Sequence, residues 1–490
     1  MSTQANPTRV LVLGCGSVAQ CVIPLLIRDL KIATSAITIV DFVDNRNRVA
    51  DAIKQGVKYE IGQVTRENLD SFLAERLAAG DILLDLAWNI DCPTILEWCR
   101  MRGVRYLNTS VELWDPYYDM AKTHPLDRTL YVRHQSIRKM VAKWGSNKGP
   151  SAVVEHGANP GLVSHFAKQA LFEISNKILN DGRAGSRQSA IESALASESF
   201  DRLAMLTGTR VIHISERDTQ ITNQPKEVNE FVNTWSVEGF YEEGVAPAEM
   251  GWGTHERWMP ANAQVHADDG PCNQICLAQP GMETWVRSWV PSGEILGMII
   301  RHGESYTMSN HLTVRDDSGK AIYRPTVHYS YCPSNEAINS VLELRMRNWQ
   351  KQPKERIMNN EIISGRDELG VLLLGHDYTG WWTGTRLSID EARSIVDGQS
   401  ATTLQVAGSV IAAVKWMIAS PNEGVCVPDD LPWKSVLADA RPYIGEIHSA
   451  PTDWDPLKTR NDLFPGFGNT GRLDTTDPWQ FRNFLTPTPS

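Results

Sequence analysis

The sequence predicts an α/β protein: a Rossmann-type doubly wound parallel sheet followed by a second α+β domain with a mostly antiparallel sheet. Three observations predict it. The chain opens on an apolar strand, a glycine-rich turn and an apolar helix, Val10-Leu-Val-Leu-Gly14-Cys-Gly16-Ser17-Val18-Ala19-Gln20. Strand-like and helix-like segments then alternate to about residue 155, the pattern of a parallel sheet wound on both faces. From 209 to about 332 the pattern changes to strands separated by turn signals, such as Thr209–Ile214, Phe231–Trp235, Gly297–Ile300 and Leu312–Arg315.

Each residue of the opening turn has a mechanical reason. Gly14 permits the tight turn, Gly16 lets a pyrophosphate approach the backbone, and Ala19 lets the helix pack close on the strand. Ser17 and Val18 begin that helix, whose first amides point at phosphates, so Gly14, Gly16, Ser17 and Val18 are candidate cofactor-binding positions. The second strand, Ala36–Val40, ends in Asp41. A carboxylate there accepts ribose hydroxyls and repels a 2′-phosphate, which favours NAD, although Arg46 and Arg48 nearby keep NADP open. Further strands are read at Asp81–Leu86, Val104–Leu107 and Ser151–Val154, with a helix at Pro93–Arg102. The strand end Asn108–Glu112 is placed to face a ligand. Beyond Glu155 to Gly161, an apolar helix runs from Leu162 to about Ile174. Residues 176–195 are polar and rich in Gly and Ser and read as a mobile loop. The organisation is then a dinucleotide-binding domain over 1–158, a substrate-binding and dimerisation domain over 159–400, and C-terminal elements within 400–490 that complete the first domain, among them the apolar helix 402–418. The tail from 450 is irregular but aromatic enough to be docked.

Bulk properties exclude several classes. The net charge of −10 and the lack of a basic patch argue against nucleic acid. The first residues lack the charged and apolar regions of a signal peptide, and no unbroken apolar stretch reads as a membrane span, so a cytoplasmic protein is expected. Eight scattered cysteines do not suggest a disulfide framework, and only Cys272 and Cys276 are close in sequence, without the further ligands of a zinc site. No metal is expected. An acidic chain suits a cationic substrate, and its 16 tryptophans include candidate faces for an ammonium group.

The second domain gathers acids, aromatics and histidine. Ser215-Glu216-Arg217-Asp218 follows a strand, and Trp235 precedes Glu238, Glu242 and Glu243. His302 and Glu304 share a face by the two-residue period of a strand, and Asp367 precedes the apolar strand Gly370–Leu374. Each has a bland reading as an ion pair, a solvated turn or a structural histidine.

Longer segments carry a resemblance. Gly157–Ser164, His213–Gln220, Phe231–Phe240, Pro247–Pro260, Leu312–Asp316, Tyr323–Thr326, Asp367–Leu373 and Asp477–Asn483 resemble the bacterial homospermidine synthases, relatives of the saccharopine dehydrogenase group, nearly end to end. The resemblance implies NAD held as a recycled redox group and putrescine and spermidine as substrates. An aminobutyl group passes to putrescine through an imine, with release of ammonia or 1,3-diaminopropane. It also implies a homodimer. By the same resemblance Trp235 matches a cation–π tryptophan, Glu243 a carboxylate near the reacting amine, and His302 and Glu304 a polar pair in the pocket; these are the candidate catalytic residues. Glu216 and Asp367 match carboxylates that anchor the polyamine, Glu112 an acid on the entrance side, and Asn159 an asparagine near both cofactor and substrate. Gly303, between His302 and Glu304, loosens the backbone there. The alternative is an amino-acid oxidoreductase of the saccharopine dehydrogenase type, which needs paired Arg or Lys in the pocket to bind carboxylates.

Overall fold

The computed structural model describes residues 8–267, 270–460 and 473–487. The opening segment 1–7 and the tail segments 461–472 and 488–490, on which part of the leader and tail readings fell, lie outside the described residues.

The first sheet has seven parallel strands in the order Glu423–Cys426, Gly149–Val153, Arg105–Asn108, Ile82–Asp85, Val10–Leu13, Ile37–Asp41 and Lys58–Ile61. Six of these follow the doubly wound order, and the seventh comes from the C-terminal part of the chain. The central strands are buried along their whole length, as expected where helices cover both faces. Gly14 has φ +86°, and a Cβ there would stand 2.7 Å from the Leu86 carbonyl oxygen, so only glycine makes this turn. Helix Ser17–Arg28 follows with no side-chain cap at Gly16.

The second sheet has eleven strands and is mostly antiparallel; one parallel pair joins Thr326–Cys332 to Val211–Asp218. Strand Arg366–Leu374 runs antiparallel to Val211–Asp218, with Asp367 opposite Asp218 and Leu369 opposite Glu216. Helix Leu162–Asn180 packs on this sheet, while helix Ala401–Ala419 packs on it and also on helix Ser17–Arg28 and the strands of the first sheet. One apolar core therefore runs through both sheets. Ala401–Ala419 is long and apolar enough to cross a membrane by length and composition, but most of it is buried inside the protein. Seven of the eight cysteines are buried, Cys272 being the exception.

Four local expectations are corrected. Residues 176–195 are not a mobile loop: helix Leu162–Asn180 runs on past Ile174, and a second helix spans Gln188–Ala196. Ile178, Ile191 and Ala194 face the core, and the breakers Gly182 and Gly185 fall in the short turn between the helices. Glu216 and Asp218 do not follow a strand but lie in it, and Asp367 lies within its own strand. Glu242 and Glu243 sit in helix Val237–Val245 rather than in a turn, capped at Ser236 by the Gly239 amide at 3.0 Å. His302 caps helix Gly303–His311, so its pairing with Glu304 comes from a helix start and not from strand alternation. In the last three cases polar residues near the end of an element imitate the polarity of a turn, and over 176–195 the exposed helix faces do.

The tail is held by aromatics. Phe481 and Phe484 are buried with Trp454 and Trp382, and Trp252, Trp258, Trp289 and Trp479 pack around them. Phe481→Ala is expected to cost about 3–5 kcal/mol, the usual loss for a fully buried phenyl ring. Chemical denaturation followed by tryptophan fluorescence checks this, as a shift to lower denaturant.

Candidate active site

A cleft opens where the carboxyl ends of the first sheet's strands meet the second sheet. Val18, Asp85, Leu86, Thr109, Ser110 and Glu112 line it from the first sheet's side. Glu216, Trp235, Glu242, Glu243, His302 and Tyr329 line it from the other. Asn159 lies between them, in the turn that starts helix Leu162–Asn180.

Trp235 follows strand Glu230–Asn233, and its indole Nε1–H donates to the Tyr331 hydroxyl at 2.9 Å. That bond fixes the ring against Phe240, with 5.8 Å between ring centroids. Tyr329 and Tyr331 project to one face of strand Thr326–Cys332 and stack at 5.2 Å. The Glu216 carboxylate accepts from the Asn159 amide at 2.6 Å and from the Tyr329 hydroxyl. Burial still pushes Glu216 up to about 7, because these donors are neutral. Asp367 stands behind the cleft wall: one oxygen accepts from Thr402 Oγ1 at 2.7 Å, and the other is buried without a hydrogen bond. Thr402, not Asp367, lines the cleft.

The remaining acids divide by their partners. Glu242 accepts from Arg133 at 2.8 Å, from Arg301 and from Trp88 Nε1 at 3.0 Å. Although burial opposes its charge, the two guanidinium groups hold it down at about 2. Glu243, one residue on, makes no side-chain hydrogen bond to a described residue, and burial lifts it to about 7. Glu112 accepts from Ser110 Oγ through one oxygen and leaves the other buried and unpaired. Burial and the neighbouring Glu242 raise it to about 8. His302 Nδ1 pairs with Glu304 Oε2 at 2.7 Å, and the other Glu304 oxygen accepts from the Gly161 amide. Burial disfavours the imidazolium, but Glu304, Glu243 and Glu155 outweigh it and raise His302 to about 9.

Gly303 has a steric role rather than a loosening one: a Cβ there would collide with the Glu155 carboxylate. On the cofactor side, Ser17 is buried and the space beside Gly16 is open. Asp41 accepts from the Cys15 amide at 2.6 Å and from the Val43 amide at 2.9 Å. Among the described residues no cluster of metal-binding side chains occurs.

Residues 10–153 match the family described as Saccharopine dehydrogenase NADP binding domain, and 157–452 match Saccharopine dehydrogenase C-terminal domain. The homospermidine synthase of Blastochloris viridis is 40% identical over 97% of this chain and 97% of its own. The chain belongs to the homospermidine synthase family. A second member, from Mesorhizobium japonicum, is 38% identical over 97% of this chain and 96% of its own. The crystal structure of the homospermidine synthase from Legionella pneumophila, in complex with NAD, superposes with a TM-score of 0.85 at 36% identity, covering 98% of this chain and 97% of that one.

Set against this family, the sequence alone did not single out Tyr329 and Tyr331, the Arg133–Glu242–Arg301 group, Thr402 or Glu155. The tyrosines had a signal, the alternation in Thr326-Val-His-Tyr-Ser-Tyr-Cys332. The arginine group had none, since its members are 59 to 168 residues apart in the chain and only folding joins them.

Two outcomes are expected. Gly303→Ala costs about 1–3 kcal/mol by overpacking against Glu155, and Glu155→Gly in the same chain recovers part of that loss, read from thermal midpoints. Glu243, Glu216, Glu112 and His302 all bind protons more tightly folded than unfolded. Their stabilisation is full below the unfolded pKa and is lost as pH rises through the folded one. The ligand-free protein is therefore expected to lose stability as pH rises, through Glu216 and Glu243 up to about 7, through Glu112 up to about 8 and through His302 up to about 9, checked by thermal scans from about pH 5 to about pH 9.

Proposed function

We propose that the chain is an NAD-dependent homospermidine synthase, an aminobutyltransferase that takes putrescine or spermidine as donor and putrescine as acceptor. The observation that carries the reading is the cleft's charge design: Trp235 shares one buried cavity with Glu216, Glu243 and Glu112, none of which has a cationic hydrogen-bonding partner. Buried carboxylates and an aromatic face are complementary to a polyammonium ligand, which supplies the missing charge. Arg301, the arginine that lines the cleft, is engaged by Glu242 and the Arg128 carbonyl and is not free for the carboxylate of an amino acid. That favours a polyamine over a saccharopine-type substrate.

The residues present fit NAD. The uncapped first turn of helix Ser17–Arg28 offers its amides to a pyrophosphate, and the open space at Gly16 admits it. The Asp41 carboxylate, oriented by two backbone amides, would meet the ribose hydroxyls. Arg46 is engaged with Asp44 at 2.8 Å rather than offered to a 2′-phosphate. When bound, NAD supplies removal of a hydride from the amine-bearing carbon and its return to the coupled imine.

The chain's own residues do the rest. Glu216, with Asn159 and Tyr329, anchors one ammonium end. Trp235 stabilises the cationic imine carbon and nitrogen. Glu243 Oε accepts the proton that the reacting ammonium must lose before hydride leaves and before a second amine attacks. The Glu242–Arg301 pair closes the wall against water. We further propose a homodimer through the second domain, where Val228, Leu342 and Met346 are exposed apolar side chains. The free thiols fit a reducing compartment, and we place the activity in the cytoplasm.

Incubation with putrescine and NAD is expected to yield homospermidine and ammonia without stoichiometric NADH. Accumulated NADH without coupled product would mean a simple amine dehydrogenase. Trp235→Ala is expected to cost about 2 kcal/mol in transition-state binding, about 30-fold in kcat/KM, with NAD still bound.

A further inference from the structure

Beyond the cleft lies a second cavity, of about 370 Å³, bounded by His134, Arg138, Tyr306, His311, Asp429 and Asp430. Between the two cavities stands Glu155. Its backbone has φ +61°, a left-handed conformation that non-glycine residues rarely adopt. The Asn108 side chain holds it there by accepting the Glu155 amide at 2.7 Å. The result is a carboxylate that is 2% exposed, lies against Gly303 and pairs through Oε2 with His134 Nε2 at 2.8 Å. Gly303 joins His302 to Glu304, the pair that closes on the cleft side at 2.7 Å.

We propose that His302, Glu304, Glu155 and His134 form a proton path from the cleft to the second cavity. The proposal rests on the reading of the cleft as a polyamine site. It answers a need of that chemistry: a substrate ammonium must shed a proton inside a cavity that the substrate itself closes. The N–H bond breaks with its electron pair left on nitrogen. Glu243 Oε, which takes that proton from nitrogen, hands it to Nε2 of the neutral His302 ring as the ring's Nδ1 proton passes to Glu304 and one proton leaves from His134 to water in the second cavity. Protonation of the leaving amine runs the path in reverse, and no net proton is consumed.

The charges along the route suit a relay. Glu304, Glu243 and Glu155 face His302, with Arg301 beside it, and stabilise the imidazolium that forms as the ring takes up the proton. Glu155, facing His134 and His302, is held below the usual carboxylate range in spite of its burial. A carboxylate between two histidines passes protons without holding them. The exclusion of a side chain at 303 is explained by the same geometry, since any Cβ would push Glu155 away from the His302–Glu304 pair.

The test uses the NAD-loaded protein and two variants. His134→Gln keeps a donor to Glu155 but carries no titratable proton, and His134→Ala opens a space that free imidazole can enter from the second cavity. Stopped-flow mixing with homospermidine in the presence of a pH indicator reads proton exchange without turnover; kcat and KM for putrescine are measured in parallel. The expected result is that His134→Gln slows proton exchange and kcat by about tenfold or more, with KM and homospermidine affinity unchanged, and that imidazole restores His134→Ala. Wild-type rates in both variants, or a loss in His134→Ala that imidazole leaves unrestored, would overturn the path. Failure of the wild-type protein to make homospermidine would instead overturn the functional reading beneath it.

Discussion

Desolvation of carboxylates at the meeting of the two sheets is the constraint on which the rest of the site depends. Glu216, Asp218 and Asp367 lie on adjacent strands, and each is at most 2% exposed. A charged carboxylate in such a place needs a cation or several donors. The protein supplies donors and withholds the cation: Tyr329 and Asn159 for Glu216, Thr234 for Asp218 and Thr402 for Asp367. Hydroxyl and amide donors keep the groups in place without neutralising them. For Glu216, which lines the cleft, the balance is left for a ligand.

Glu242 and Glu243 show that partners decide more than depth. They are consecutive in one helix and both line the cleft, Glu242 buried and Glu243 half-buried. Arg133 and Arg301 hold Glu242 down at about 2, while Glu243 has no such hydrogen-bonded partner and desolvation lifts it to about 7. The first acts as wall, the second as a group able to change its charge. One residue of helical rotation, 100° about the axis, is enough to separate the two roles.

The same logic governs the backbone. Gly303 has no side chain because Glu155 occupies its place, and Glu155 adopts a left-handed conformation to reach it. Trp235 lies in a loop, yet its hydrogen bond to Tyr331 ties it to a central strand of the second sheet, so the ring is held with strand-like precision. Helix Ala401–Ala419 joins the two halves by packing on both, and strand Glu423–Cys426 returns the chain to the first sheet, so the cleft's walls cannot part without opening a shared core.

The sequence by itself determined the opening turn, the parallel sheet and the antiparallel character of the second sheet, while the acids and the tryptophan of the cleft were singled out by family resemblance. The first three are legible because local sterics and side-chain period act over a few residues: Gly14 must be glycine, and buried strands must be apolar. The helices over 176–195 were hidden by their exposed polar residues and by Gly182 and Gly185 between them; the strand positions of Glu216 and Asp367 and the helical setting of Glu243 and His302 were hidden because polar residues in the last or first turns of an element look like turn residues. Only the tertiary structure decided which carboxylate meets an arginine and which meets the cleft. Arg133 and Glu242 are 109 residues apart, and His134 and Glu155 come together across two elements. Charge state depends on burial and neighbours, and neighbours are assigned by folding rather than by position along the chain.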